Sequence, residues 1–379
     1  MKTNSPLRVL TVSTSYPTDL NDWRGLFIRH LTDALARRKD LRVSLWAPPG
    51  EVHPDVIQVA SAHETTFLAQ LMQSGGIAHL LRSGGVRALV SPLRLLMGLR
   101  AVYRRCDADL YHVNWLQNAL PLPNDGKPLL VSVLGTDMQL LNKPMMKSML
   151  RHVFARHPTV ICPNAGWMVK PLEAAFGKVA KVRFVSFGID PMWYAIPRAE
   201  TPLAMPARWL AVTRLTRAKL GSLFEWGEQF FNGQTRELHL FGPMQENIDL
   251  PDWVHYHGPA SPEQLCRGWF PSAQGLITLS RHAEGRPQVM LEAMAAGLPI
   301  IASRLPAHEN IVFHGETGWL CDSVDDVGQG LQHFENMAEN HRAGDAARAW
   351  VGREIGTWDD CAARYTNLYQ QLIHRASHD

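Results

Sequence analysis

Two carboxylates, Glu284 and Glu292, lie eight positions apart in Glu284-Gly-Arg-Pro-Gln-Val-Met-Leu-Glu292. The first precedes a turn marked by Gly285 and Pro287, and the second lies in a run that reads as helix. A short apolar strand candidate, Ile300 to Ser303, follows. A loop carboxylate and a helix carboxylate at that spacing can face the mouth of one cleft. There they can accept hydrogen bonds from the hydroxyls of a sugar and of a ribose. The residues after Glu284 can add backbone N–H groups.

Upstream, Arg214-Leu-Thr-Arg-Ala-Lys219 follows a strand candidate at 210–213. A planar guanidinium and a compact ammonium at a strand end can bind different oxygens of a departing diphosphate. The amides of a helix starting near Leu220 or Gly221 would reinforce them. The plainer reading is two solvated cations and, for Glu284, a solvated loop carboxylate. His112 and Asn114 end another strand candidate and border the cleft, although His112 also fits a hydrogen-bonded core position. Asp107-Ala-Asp109 precedes that strand and reads as a turn. His255 and His257 share one strand face, and two such imidazoles make no metal site without further ligands.

The elements that must position these groups alternate. Strand candidates run Leu7–Ser13, Val43–Ala47, Leu110–Asn114, Leu129–Leu134, Thr159–Cys162 and Val182–Val185, with a helix at Gly25–Arg38 between the first two. A second series runs Leu210–Thr213, Leu238–Phe241, Val254–Tyr256, Leu276–Thr278 and Ile300–Ala302. Such alternation predicts parallel βαβ units, here two doubly wound α/β domains. We expect domains at 1–190 and 207–355, a proline-bearing linker at 191–206, and a final helix, 356–379, crossing back to the first domain. Trp358, Cys361, Tyr365, Leu368, Tyr369 and Leu372 give that helix an apolar stripe. Two such domains would form a deep cleft, with ligands at the carboxyl ends of the strands.

The net charge of +3 hides an asymmetry. Residues 1–190 hold 23 Lys and Arg against 13 Asp and Glu, and residues 191–379 hold 15 against 22. The segment 71–105 carries Arg82, Arg87, Arg94, Arg100, Arg104 and Arg105 and no acid. It reads as a basic amphipathic stretch able to lie on an anionic membrane, or as a helix covering the sheet with its arginines outward. No apolar run is long enough to span a bilayer, and the N-terminus lacks the pattern of a signal peptide. Five scattered cysteines without a CxxC pair fit reduced thiols in a cytoplasm.

The Glu-x7-Glu stretch, Arg214-Leu-x-x-x-Lys219, the interdomain turn Phe187-Gly188-Ile189-Asp190, the strand end Phe241-Gly242-Pro243 and the late turn Gly315-Glu-Thr-Gly318-Trp-Leu together resemble the motifs of retaining glycosyltransferases of the GT-B fold, family 4. The resemblance runs from about residue 187 to 321, with only the layout and Gly25 matching before it. It implies a donor site formed by Gly25, Arg214, Lys219, Gly242, Glu284, Gly285, Arg286, Pro287, Leu291 and Glu292, with Arg24 a lesser candidate beside Gly25. In it Glu292 takes the ribose hydroxyls and Glu284 the donor sugar. It implies Glu284, Arg214, Lys219 and Asp137 as catalytic groups, and His112, Asn114 and Asp137 as acceptor contacts. Two departures stand out. Arg286 replaces the residue usual after Glu-Gly, where it binds an extra negative charge or points outward. Leu134 stands where relatives carry a histidine, leaving Asp137 as the nearest polar group, unless it caps a helix.

The expected activity is retaining transfer of a hexose from a UDP- or GDP-sugar to a saccharide acceptor, without metal or cofactor and with no nucleic acid involved. The resemblance implies front-side attack. The basic first domain favours a lipid-diphosphate-linked acceptor at the inner membrane face, in bacterial surface polysaccharide synthesis. The alternatives are a sugar-nucleotide 2-epimerase of the same architecture and a catalytically silent nucleotide-binding scaffold.

Overall fold

The computed structural model describes residues 5–74, 86–198, 206–231, 233–282 and 285–376. The chain divides into two compact units, Met1–Phe187 with Trp358–Asp379, and Gly188–Thr357.

The first unit holds strands β1 (Leu7–Val12), β2 (Leu41–Trp46), β3 (Ile57–Gln58), β4 (Leu110–Asn114), β5 (Leu129–Val133), β6 (Thr159–Pro163) and β7 (Lys181–Val182). They form one parallel sheet in the order β3-β2-β1-β4-β5-β6-β7. Every residue of β4, β5 and β6 is buried. A parallel strand covered on both faces needs apolar residues at successive positions, which is why these segments read as runs without alternation. Its helices include α1 (Leu26–Ala36), α2 (Ala62–Gln73), α3 (Val86–Arg105), α4 (Met146–Phe154) and α5 (Val169–Phe176). Leu68, Leu99, Leu150 and Leu172, one from each of α2 to α5, meet in the core on one sheet face.

The second unit holds β8 (Ala207–Val212), β9 (Arg236–Phe241), β10 (Val254–Tyr256), β11 (Gly275–Thr278), β12 (Ile300–Ser303) and β13 (Gly318–Cys321), parallel in the order β10-β9-β8-β11-β12-β13. Its helices include α6 (Pro191–Tyr194), α7 (Arg217–Leu220), α8 (Leu223–Gly227), α9 (Gln288–Ala295), α10 (Val324–Glu335) and α11 (Met337–Glu354). The closing helix, α12 (Trp358–Ala376), belongs to the first unit. It covers the second face of that sheet, with Trp358, Cys361, Tyr365, Tyr369 and Leu372 packed among Leu31 and Leu35 of α1 and the strand residues Leu110 and Leu130.

Three sequence expectations change. Residues 191–198 are no linker: Asp190 caps α6, Pro191 occupies a first-turn position where its missing N–H costs nothing, and Trp193 is buried in the core of the second unit. The remaining expected linker, apart from Pro206, lies outside the described residues. The Gly318-Trp-Leu segment, taken as part of a turn, is the edge strand β13. No helix begins at Leu220 or Gly221. Thr216 caps the single-turn helix α7, Gly221 breaks it at φ 57°, and α8 starts at Leu223.

Candidate active site

In the second unit β9 and β10 lie on one side of β8, and β11, β12 and β13 on the other. The connections leaving β8 and β11 therefore lead to opposite ends of the sheet, and a parallel sheet binds its ligand in the crevice at such a reversal. Arg214 lies two residues beyond β8, and Lys219 is the third residue of α7. The Thr216 hydroxyl accepts the Lys219 N–H at 3.2 Å, which fixes the turn carrying the lysine. Arg214 Nη1 donates to Gln245 Oε1 at 3.5 Å.

Backbone bonds join this loop to both neighbours. Ser222 N–H donates to Leu279 O at 3.0 Å, and Arg281 N–H to Ala218 O at 2.9 Å, so the turn bearing Lys219 lies against the exit of β11. On the other side Leu215 N–H donates to Pro243 O at 2.9 Å. Gly242 makes that approach possible. Its φ is +136°, and a Cβ there would sit 1.7 Å from Thr213 O. Any side chain at 242 would push the Arg214 loop off β9.

After β11 the chain continues into α9. Pro287 is its buried N-cap residue, and Gln288 Nε2 donates to Gly188 O at 2.8 Å. Glu292 lies in the next turn, partly buried. Burial, with Asp190 adding like charge, pushes its carboxyl up to about 7. Glu284 lies outside the described residues. Two expectations for this segment are corrected. Leu291 is fully buried in the apolar core, so its side chain cannot touch a donor. Arg286 neither points outward nor stands apart from the fold: its guanidinium lies 6.0 Å from the Trp350 ring centre, a cation–π distance.

The first unit corrects three more. His112 is fully buried, its Nδ1 2.6 Å from the Tyr369 hydroxyl and its Nε2 2.8 Å from Ser132 Oγ. Burial holds its pKa down to about 3, so it is a neutral strut between sheet and closing helix rather than an acceptor contact. Asn114 is also buried and donates to Val12 O at 3.1 Å. Asp137 neither caps a helix nor faces solvent. Its carboxylate accepts N–H bonds from Leu116, Leu134 and Gly135 at 3.2, 3.1 and 3.0 Å, clamping two loops. Burial nonetheless pushes its carboxyl up to about 6. Asp137→Asn turns one acceptor oxygen into a donor facing N–H groups. We expect a loss of about 1–3 kcal/mol in urea unfolding, and an unchanged midpoint would remove the clamp from the account. Gly25 precedes α1 at φ 75°, and a Cβ there would meet Ser15 at 2.8 Å. Arg24 is paired with Asp22 at 2.9 Å.

One feature is absent from the sequence reading. A hollow of about 570 Å³ opens beyond β9 and β10, walled by Phe241, His257, Pro259 and Trp269. Phe241 and His257 stack at 4.7 Å, and Trp269 meets His257 at 4.5 Å. Burial lowers the His257 pKa, and the Arg267–Glu263 ion pair also lines the hollow. Leu265–Trp269 is a π-helical turn, a distortion often found at binding sites. The rings come from three separate segments, so no contiguous pattern marked them; the available signal was His257 beside a strand end.

Residues 231–339 match the family model described as glycosyl transferases group 1. The chain spans less than half the length of each curated relative it matches. One is the amylovoran biosynthesis glycosyltransferase AmsK of Erwinia amylovora, 24% identical over 195 residues, or 46% of each chain. In structure the chain is similar to sucrose-phosphate synthase from Thermosynechococcus elongatus, with a TM-score of 0.72 at 17% identity over 97% of this chain and 100% of that one. It is also similar to Anabaena HepE in complex with UDP-glucose, with a TM-score of 0.65 at 15% identity over 96% and 100%. At these identities the structural likeness concerns the fold.

Proposed function

We propose, for a chain that carries a group 1 glycosyl transferase domain within a GT-B fold, a retaining hexosyltransferase that takes its sugar from a UDP-sugar. The reading rests on one observation: the loop bearing Arg214 and Lys219 is bonded to the exit of β11, whose connection leads to Glu292 at the same sheet reversal. In this reading the two cations take the charge that grows on the leaving diphosphate, in place of a divalent ion. Glu292 accepts both ribose hydroxyls, and Glu284 faces the donor sugar. The aromatic hollow seats the base, since neutral rings stack on any π-face. HepE in complex with UDP-glucose supports uridine over guanosine.

Asp137, buried and satisfied, is left out of the chemistry. The leaving phosphate itself then accepts the proton of the attacking hydroxyl, which predicts retention. The basic first unit takes a saccharide acceptor on a lipid diphosphate at the cytoplasmic membrane face. Polysaccharide assembly is the context, as the name of the Erwinia relative supports.

The test is direct. UDP should raise the melting temperature more than GDP, because a ligand of the folded state must stabilise it. Turnover of a sugar-nucleotide panel should then release UDP. No binding and no release from any member would sink the reading. Binding without release would favour the silent homologue, for which Leu134, half-buried against apolar neighbours, is the one supporting feature. A changed sugar configuration without acceptor, seen by NMR, would favour the epimerase.

A further inference from the structure

Helix α3 turns an apolar face to solvent. Val90, Leu93 and Met97 recur at one-face spacing and are 55%, 60% and 61% exposed, while Leu95, Leu99 and Val102 bury the opposite side. A helix that only covers a sheet should place polar residues there. The exposed residues Arg100 and Arg104 border the apolar strip. Helix α4 repeats the arrangement: Met145, just before it, and Met149 are 75% and 47% exposed, next to the exposed Lys143 and Lys147. Both helices pack on the same core, so both lie on one side of the first sheet.

The stretches that carry them are basic, and the acid packed against α3, Glu64, is paired with Arg105 at 2.6 Å. Residues 65–106 hold six arginines and residues 138–172 hold five Lys and Arg, and neither stretch has an Asp or Glu. Apolar tips set among cations complement an anionic lipid surface, where the tips enter the acyl boundary and the cations meet headgroup phosphates. A second copy of this face would instead bring like charges together. Among the described residues no helix is long and apolar enough to cross a membrane.

We infer that the outer faces of α3 and α4 form a peripheral docking surface for an anionic bilayer. The inference deepens the reading of a lipid-linked acceptor, yet it is decided by lipid binding alone. Co-sedimentation with vesicles of phosphatidylcholine, with and without about 30% phosphatidylglycerol, provides the test. The protein should pellet only with anionic vesicles and be released by high salt. Leu93→Glu/Met97→Glu should lower the bound fraction about tenfold, and Met145→Glu/Met149→Glu should do so independently. Met337→Glu, an exposed methionine of the second unit, should change nothing. Arg100→Glu/Arg104→Glu is the further variant should either pair fail to fold.

UDP should still raise the melting temperature of every variant. If it raises none, the wild type included, the donor reading fails while the docking surface stands. The inference is overturned if the wild type stays in the supernatant with anionic vesicles, or if the glutamate pairs bind like wild type. Self-association that those substitutions abolish would also overturn it, assigning the face to a second copy.

Discussion

Glu292→Gln is expected to lose about 10²-fold in kcat/KM for the donor, and to unfold with about 2–3 kcal/mol more stability than the parent at pH 8. The two effects share a cause. A carboxyl pushed up to about 7 holds its proton more tightly in the folded chain than unfolded, where it would titrate near 4.5. Between those values the folded state binds more protons, so stability falls as pH rises through the window. The cost is absent below pH 4.5 and complete above 7. A neutral amide never meets it. The stability gain should therefore shrink on acidification and vanish near pH 4.5.

The same carboxylate is what the ribose requires, because only the ionised form accepts from both hydroxyls with charge-assisted strength. Donor kcat/KM should rise through pH 7 with the loss of one proton, and the Gln variant should lack that step. UDP binding at pH 7 should release a fraction of a proton, since a hydroxyl pair favours the charged form. Calorimetry in two buffers of different ionisation enthalpy measures this. A Gln variant with parental turnover and an unchanged melting profile would remove Glu292 from the site.

What the sequence revealed follows from what each signal encodes. Buried parallel strands appear as largely apolar runs, so Leu110–Asn114 was placed to the residue. The two-residue strand β3, with both residues exposed, offered no such run. The places of Arg214 and Lys219 after β8, and of Glu292 on the helix after β11, were legible because the order of strands and helices fixes them. Polar residues at strand ends were not, since type and position leave burial undecided. His112 and Asp137 look like ligands in the sequence. They prove to be struts because Tyr369, Ser132 and the N–H groups of Leu116, Leu134 and Gly135 already satisfy them. Proline misled in the other direction, since Pro191 marks a helix start rather than a linker.

Arg214→Ala and Lys219→Ala should each lower kcat by about 10²–10³-fold, the scale on which one preorganised charge acts on a developing anion. Neither should unfold the protein, because Arg214 lies in a loop and α7 is capped by the Thr216 hydroxyl rather than by the lysine side chain. Arg214→Lys should recover only part of the loss, as an ammonium cannot reproduce a fork on two oxygens. The losses should not add in the double variant, since both cations act on one leaving group. Binding locates the effect: affinity for UDP should drop in both variants while affinity for uridine stays put, because the nucleoside lacks the diphosphate. Equal losses for the two ligands would mean that the loop after β8 shapes the base hollow instead. Parental kcat in both variants would leave the diphosphate without its counter-charge and end the transferase reading of this crevice.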